Sequence, residues 1–231
     1  MNNQEKFKEL FLEFEDETKK KLNYKYDKLE ICIDELRNKG YNPYVREYSF
    51  ITFCRRLRNI TFHNLNDNYY LITNETIEKF SNLLYEVKHP FKVYDKSSKN
   101  VYSKTINDYV LKTMKDMNEK NYTHIPIYDE NSKTIVGIFS ENTIFQYILE
   151  DNKIQIDDNT KFKDITKCID IKKSKEIVKF VSRDKLYDDV VNDFIREFKD
   201  GNKLSCIMIT TRGTIDEKVI GVLTSWDIIG R

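Results

Sequence analysis

The sequence predicts an α+β protein in which a four-helix domain precedes two copies of a β-α-β-β-α unit. The chain has 231 residues, enough for two domains of ordinary size. Near Pro90 the apolar residues change from helical spacing to β-branched runs that alternate with helical stretches. The second half also repeats itself, which is typical of duplicated units that pack together. The predicted boundaries are residues 1–89 for the helical domain, and 90–155 and 156–231 for the two repeats.

The composition excludes several classes of protein. Hydrophobic residues make up 39% of the chain, charged residues make up 33%, and the formal net charge is +1, so any nucleic-acid contact has to come from a local patch. No run of about 18 apolar residues occurs, and the start of the chain lacks the apolar core of a signal peptide, which predicts a cytoplasmic protein without a membrane partner. The four cysteines show no metal-ligand spacing, so we expect reduced thiols and no metal site.

Four helices are predicted in the first 89 residues. Apolar residues at three-and-four spacing mark a first helix over residues 5–22 and a second helix that ends before Gly40. A third helix begins near Pro43, since proline suits a first helical turn, and it continues towards His63. A fourth helix begins near Thr73, which is a favourable capping residue. Four helices with short connections predict a bundle.

The repeat in the second half is visible at two offsets. The ten residues that begin at Val101 align in sequence with the ten that begin at Val181, at an offset of 80. Gly137-Ile138-Phe139-Ser140 lies over Gly221-Val222-Leu223-Thr224 at an offset of 84, because the second copy is longer in its loops. Each copy is predicted to contain a helix, a strand, a turn, a second strand and a short helix.

Two segments of the repeat carry a family resemblance. THIPIYDENSKTIVGIFSENTIFQYI, which begins at Thr123, has a strand with proline after its first apolar residue, then a hairpin, then Gly-apolar-apolar-Ser before a short helix. LSCIMITTRGTIDEKVIGVLTSWDII, which begins at Leu204, follows the same order. Residues 90–231 therefore resemble a CBS-domain pair. The resemblance implies a compact module whose clefts bind AMP, ADP, ATP or another adenosine-containing ligand, with no other cofactor required.

The end of the second copy, GVLTSWD, predicts the ligand site. If Thr224 opens a helix, its hydroxyl and the N–H groups of the first turn are placed to meet a phosphate, and the helix dipole favours the anion. Asp227, one turn later, is placed to accept hydrogen bonds from the ribose hydroxyls. This matches the Thr-x-x-Asp pattern of ligand-binding CBS domains, although the same spacing also fits a helix cap. The first copy has Ser140 and Thr143 here, so Ser140 is left to meet a phosphate without a carboxylate.

A second pattern, Arg58-Asn59-x-x-x-His63, lies at the end of the third predicted helix. No acidic residue occurs between Glu47 and Asp67. An imidazole titrates near neutral pH and can act as an acid or a base, and a guanidinium binds phosphate through paired hydrogen bonds. These residue types suit a phosphodiester better than a metal ion.

The pattern and its four-helix setting resemble the HEPN superfamily of metal-independent endoribonucleases. The resemblance implies a homodimer in which the two motifs meet. It assigns Arg58 to stabilising the phosphate, Asn59 to orienting a partner or the phosphate, and His63 to the transfer from the 2′-hydroxyl. The neighbouring arginines would attract RNA, and Tyr69 or Tyr70 would stack on a base. The alternatives are a solvated arginine face or a non-catalytic relative.

Together the two resemblances predict a sensor joined to an effector. In the first hypothesis an adenine nucleotide bound to the CBS pair controls a HEPN-like endoribonuclease, under stress or phage attack. In the second hypothesis the CBS pair is regulatory and the helical domain only dimerises or binds a partner. In the third hypothesis the CBS pair is an empty scaffold.

Overall fold

The structure, a computed structural model, describes residues 2–63, 72–131, 134–151, 156–174 and 176–229. It divides the chain into two compact units, Met1–Phe91 and Lys92–Arg231. The first unit is helical in its described residues, and the second combines helices with two three-stranded sheets. The predicted α+β class is therefore confirmed. No helix within the described ranges is long and apolar enough to cross a membrane.

The described part of the N-terminal unit contains the helices α1 (Asn3–Lys21), α2 (Leu29–Asn38), α3 (Tyr48–His63) and α4 (Asn74–Lys88). Their apolar faces meet in one core around Phe80, whose ring centroid lies 5.3 Å from that of Phe7 and 5.5 Å from that of Phe14. Thr73 caps α4 as predicted, since its hydroxyl oxygen accepts the N–H of Thr76 at 3.2 Å. That this unit is HEPN-like stays a prediction.

Helix α3 begins later than the sequence predicts. Pro43 lies in a turn over residues 42–47, and the first helical residue is Tyr48. The turn brings Tyr44 into the core, where it is fully buried and its hydroxyl lies 3.0 Å from Thr18 Oγ1. Burial of this large aromatic ring, with its hydroxyl satisfied, outweighs the preference of proline for a first helical turn.

The C-terminal unit repeats one order of elements. The first copy contains β1 (Lys104–Thr105), α5 (Val110–Lys120), β2 (His124–Tyr128), β3 (Ile135–Ser140) and α6 (Glu141–Asp151). A short helix, α7 (Thr166–Ile169), follows it. The second copy contains β4 (Ile177–Ser182), α8 (Tyr187–Lys199), β5 (Leu204–Thr210), β6 (Gly221–Thr224) and α9 (Ser225–Ile229). In each sheet the first strand is parallel to the second, and the third is antiparallel to it.

The strand pairing shows which residues of the two copies are equivalent. The corresponding pairs are His124 with Ser140 and Cys206 with Thr224, and Ile127 with Gly137 and Ile209 with Gly221. The structure therefore bears out the offset of 84. The offset of 80 is wrong. Lys104 of β1 pairs with Ile127, and Val181 of β4 pairs with Ile209, so Lys104 and Val181 are equivalent and the offset is 77. Parallel pairing with the second strand, and not the matching valines, fixes the register of β1 and β4.

The two copies share an apolar cluster between their sheets. Ile138 of β3 and Met208 of β5 are both buried in it, beside Cys206. A hydrogen bond near this cluster also joins the copies, since the N–H of Val219 donates to the hydroxyl of Tyr128 at 3.0 Å. The pairing of the two copies therefore buries apolar surface of both sheets.

Each copy is completed by a short 3₁₀ helix that precedes the other copy in the chain. Val93–Lys96 precedes the first copy but packs on the second, where its first residue donates its N–H to Lys185 O at 2.8 Å. Phe162–Ile165 precedes the second copy but packs on the first, where the ring centroid of Phe162 lies 5.0 Å from that of Phe139. Each 3₁₀ helix therefore packs on the copy that lies on the other side of the predicted boundary between residues 155 and 156.

Candidate ligand-binding clefts

A cleft of about 380 Å³ opens between the two copies of the C-terminal unit. The first copy and the chain before it supply Tyr102, Tyr122 and His124, among others. The second copy supplies the end of β6 and the start of α9, including the predicted site residues Thr224 and Asp227. The structure thus brings two of the predicted ligand-binding residues into one cavity.

Gly221 allows the chain before β1 to form one wall of this cleft. Ser98 and Val222 exchange backbone hydrogen bonds of 3.0 and 3.1 Å, which fixes the segment along the edge of β6. A Cβ on Gly221 would lie 2.6 Å from Ser97 Oγ. The glycine of the Gly-apolar-apolar-Thr sequence therefore accommodates this close approach without displacing the Ser97 side chain.

Thr224 and Asp227 contact each other. One carboxylate oxygen of Asp227, Oδ2, accepts the N–H of Thr224 at 2.8 Å and its hydroxyl at 2.9 Å. The hydroxyl that the sequence assigns to a phosphate is therefore donated to Asp227, as in the helix-cap alternative. The second oxygen, Oδ1, makes no hydrogen bond to any of the described residues.

The same hydrogen bonds occur at a second Thr-x-x-Asp sequence. Asp108 Oδ2 accepts the N–H of Thr105 at 2.7 Å and its hydroxyl at 2.9 Å. Thr105 ends β1, Asp108 lies in the turn that follows it, and neither residue lines the cleft. The Thr-x-x-Asp spacing thus produces one local turn geometry, and the surrounding cavity distinguishes Asp227 from Asp108.

Aromatic side chains line the cleft that contains Asp227. Trp226 is 73% exposed, and the rings of Tyr102 and Tyr122 stack with centroids 5.5 Å apart. The hydroxyl of Tyr102 donates to Asp116, and burial together with this hydrogen bond raises the pKa of Tyr102. The sequence analysis missed Tyr102 and Tyr122, because no local pattern separates a cleft tyrosine from the others among the fifteen in the chain.

Ser140 lies in a separate polar site of the first copy. It lines a cavity of about 340 Å³, and its N–H donates to Thr143 Oγ1 at 3.0 Å. Its hydroxyl donates to Glu176 Oε2 at 2.7 Å, and the side-chain amide of Asn142 donates to the other oxygen. The carboxylate that the first copy lacks at position 143 is thus supplied from just before β4.

Glu176 is a buried carboxylate, with 8% of its surface exposed. Lys203 Nζ lies 3.7 Å from Oε1, and His124 Nε2 lies 3.8 Å from Oε2. Burial raises the pKa of Glu176, but the imidazole of His124, the hydroxyl of Ser140 and the amide of Asn142 together lower it to about 2. The side chain is therefore ionised at neutral pH.

Two of the three predicted catalytic residues are in contact in the helical unit. Arg58 Nη1 donates to Asn59 Oδ1 at 3.3 Å, and the guanidinium carbon lies 5.9 Å from the ring centroid of Phe11. His63 ends α3, but its side chain lies outside the described residues, as do Tyr69 and Tyr70.

The arginine-rich run has no acidic residue within it, but an acidic side chain from another helix contacts it. Arg55, which was expected to help attract RNA, forms an ion pair of 2.6 Å with Glu30 on α2. The hydrogen bond from Arg55 also lowers the pKa of Glu30. This arginine therefore has a structural partner on a neighbouring helix.

Within the described residues, no group of three or more His, Cys, Asp or Glu side chains is placed to hold a metal ion.

Comparison with known proteins identifies the first copy. Residues 93–150 match the family model of the CBS domain. No curated protein sequence matches the chain at a significant level. Among solved structures, the chain is similar to the CBS domain pair of protein MJ0100 in complex with 5′-methylthioadenosine and S-adenosyl-L-methionine, with 23% identity, a TM-score of 0.40, and coverage of 61% of this chain and 94% of that one. It is also similar to the CBS domain protein TA0289 from Thermoplasma acidophilum, with 20% identity, a TM-score of 0.43, and coverage of 61% and 68%.

The family match lies where the sequence resemblance was predicted. The matched residues include β1 to β3 and most of α6, and the second copy has the same order of strands and helices. The chain therefore carries a CBS domain at residues 93–150, followed in the same unit by a second copy of the same β-α-β-β-α order.

Proposed function

We propose that the chain is a regulatory protein whose pair of CBS copies binds an adenosine-containing nucleotide and thereby controls the helical unit. The observation that carries this proposal is the cleft of about 380 Å³, in which Asp227 lies beside flat aromatic side chains. A cavity of this size suits a mononucleotide. The carboxylate oxygens of Asp227 are acceptors for hydroxyl groups.

The chemistry of the cleft favours a nucleoside. Asp227 holds Thr224 through Oδ2, and its Oδ1 is left to accept hydrogen bonds from the ribose hydroxyls. The exposed ring of Trp226 and the ring of Tyr122 offer flat apolar surfaces against which a base can stack. AMP, ADP and ATP all contain these recognised parts, so the proposal covers the three nucleotides.

Control of the helical unit would follow from a population shift. A nucleotide that binds one packing of the two CBS copies more tightly than another increases the fraction of molecules in that packing. The two copies contact each other through an apolar cluster and a hydrogen bond, and the cleft lies between the same two copies. A nucleotide in the cleft would therefore act on the packing of one copy against the other. The effector would be the helical unit.

The nucleotide proposal predicts a selective loss in Asp227→Ala. AMP, ADP or ATP should raise the melting temperature of the parent by several degrees, since a ligand that binds only the native state stabilises it by mass action. The variant should lose most of this increase, because the ribose acceptor is gone. Differential scanning fluorimetry measures both quantities.

Asp108→Ala is the matched control for this experiment. It removes the same two hydrogen bonds, to the N–H and hydroxyl of Thr105, but it lies outside the cleft. We expect it to melt at a lower temperature and to keep the full nucleotide response. Equal nucleotide responses in Asp227→Ala and the parent contradict the proposal, as does the absence of any response in the parent.

A second candidate function for the helical unit is metal-independent cleavage of RNA by a HEPN-like homodimer. The Arg58-Asn59-x-x-x-His63 sequence at the end of α3 favours it, because it supplies a guanidinium, an amide and an imidazole within one short stretch of the helix. In this mechanism the 2′-hydroxyl attacks the neighbouring phosphorus and the 5′-oxygen leaves, which gives a cyclic phosphate. His63 would serve the proton transfer, and Arg58 would stabilise the charged phosphorane. The chain would then be an endoribonuclease.

The ribonuclease proposal predicts that Arg58→Ala and His63→Ala each lose cleavage of labelled RNA by at least tenfold in EDTA. Gel electrophoresis measures the product, with and without ATP or AMP. Arg56→Ala, which changes an exposed arginine outside the three motif residues, is the control and should lose much less cleavage than either motif variant. Unchanged cleavage in both motif variants, or no cleavage by the parent under any condition, removes this proposal. Nucleotide binding without cleavage would support the alternative in which the helical unit only dimerises or binds a partner.

A further inference from the structure

Four hydrogen-bond donors converge on one point at the end of β3. Ser140 contributes a hydroxyl, Asn142 an amide, His124 an imidazole, and Lys203, from the chain just before β5, an ammonium group. Hydroxyl, amide and cationic donors gathered in this way form a site for an anion. The group that they surround in this structure is the carboxylate of Glu176.

The fit of Glu176 to these donors is incomplete. Ser140 Oγ lies 2.7 Å from Oε2, which is a good hydrogen bond, but His124 Nε2 lies 3.8 Å away, which is too long for one. The His124 side chain is 10% exposed, and its Nε2 makes no hydrogen bond to the described residues. The other ring nitrogen, Nδ1, lies 2.9 Å from Thr123 Oγ1. A buried ring nitrogen without a hydrogen-bond partner indicates room for a further polar atom.

The position of the site within the repeat links it to the proposed ligand cleft. Ser140 occupies the place that Thr224 occupies in the second copy, and both hydroxyls donate to a carboxylate. In the second copy this carboxylate belongs to Asp227, three residues further along, whereas in the first copy it is Glu176. Two of the four donors also line a cavity, since Ser140 lines the one of about 340 Å³ and His124 lines the cleft of about 380 Å³.

We propose that Glu176 is an internal occupant of an anion site in the first copy, and that the phosphate of a nucleotide binds the same donors when this carboxylate is removed or displaced. Glu176 thereby limits the pair of copies to one nucleotide. Only the identity of the ligand rests on the proposed function, since the anion site depends on the four donors alone.

Acetate rescue of Glu176→Ala tests the anion site. Sodium acetate should raise the melting temperature of this variant by roughly 2–4 °C over sodium chloride at equal ionic strength, because acetate replaces the lost carboxylate. The parent and Glu176→Gln, whose sites are filled, should show no such difference. Asp193→Ala is the matched control, since Asp193 is another buried carboxylate but is paired with Lys185, at 2.6 Å, and with Arg196.

Several results would overturn the anion site. These are equal melting temperatures of Glu176→Ala in acetate and chloride, or an equal acetate effect in Asp193→Ala. If Glu176→Ala does not fold in chloride, the yield of refolded protein in acetate and in chloride replaces the melting temperature. Equal yields then overturn the inference.

Calorimetric titration with AMP tests the identity of the ligand. Glu176→Ala should bind two AMP molecules per chain where the parent binds one, and adding Ser140→Ala should return the number to one. One AMP per chain in both proteins overturns the nucleotide part of the inference. Acetate rescue without any AMP binding by the parent supports the anion site and contradicts the proposed function, so the two failures are distinguishable.

Discussion

Replacing Gly137 by alanine is expected to lower the free energy of unfolding of the C-terminal unit by about 3 kcal/mol. A Cβ at this position would lie 2.4 Å from the carbonyl oxygen of Ile169 and 2.7 Å from its Cγ1. The nearest of these atoms belongs to the backbone at the end of α7, so a change of side-chain rotamer cannot relieve the clash. Denaturant unfolding of parent and variant measures the difference.

Two other glycines provide controls for this prediction. Gly201 has a φ of +75° and no neighbour within 4 Å, so Gly201→Ala should lose only about 1 kcal/mol for the left-handed backbone. Gly221→Ala should lie between the two, because the nearest atom, Ser97 Oγ, belongs to a side chain that can move. If Gly137→Ala loses no more than Gly201→Ala, the packing of α7 on β3 does not require a glycine there.

Acidification from pH 6 to pH 2 is expected to remove on the order of 3 kcal/mol of stability from the parent that Glu176→Gln does not lose. The pKa of Glu176 is lowered from 4.5 to about 2 in the folded protein. Between these values the unfolded chain binds the proton more tightly than the folded chain. The stabilising contribution is therefore complete above the unfolded pKa and disappears as the pH falls through the folded pKa.

The measurement is a pair of denaturant unfolding curves at each pH. Every other carboxylate is common to the two proteins, so the difference in unfolding free energy between parent and variant isolates Glu176. This difference in unfolding free energy should shrink by about 3 kcal/mol as the pH falls from 6 to 2. Parallel profiles down to pH 2 would mean that the surrounding donors do not stabilise the charged carboxylate.

Local patterns in the sequence were enough to predict most of the helices and the repeat. The apolar spacing that places α1 and α4 involves neighbours within one or two turns, and the Gly-apolar-apolar-Ser/Thr sequence aligns β3 with β6 without any tertiary information. The start of α3 was misplaced because burial of Tyr44, a tertiary effect, decided it.

The sites were less predictable, because their residues come from distant parts of the chain. Glu176 meets Ser140 from 36 positions away, and nothing in its own neighbourhood marks it as a partner. Arg55 and Glu30 likewise meet only when α2 and α3 pack. The Thr-x-x-Asp sequence is uninformative by itself, since residues 105–108 and 224–227 make the same hydrogen bonds and only the second lies in a cleft.

The exchange of the two 3₁₀ helices makes the two copies of the C-terminal unit mutually dependent. Residues 93–150 alone would lack Phe162, which is fully buried against the first copy, and would carry Val93, which belongs to the core of the second. Neither copy encloses its own core, so the C-terminal unit is one cooperative folding unit and not two domains in series. A ligand that binds the folded unit therefore stabilises both copies together, without any change of shape between them.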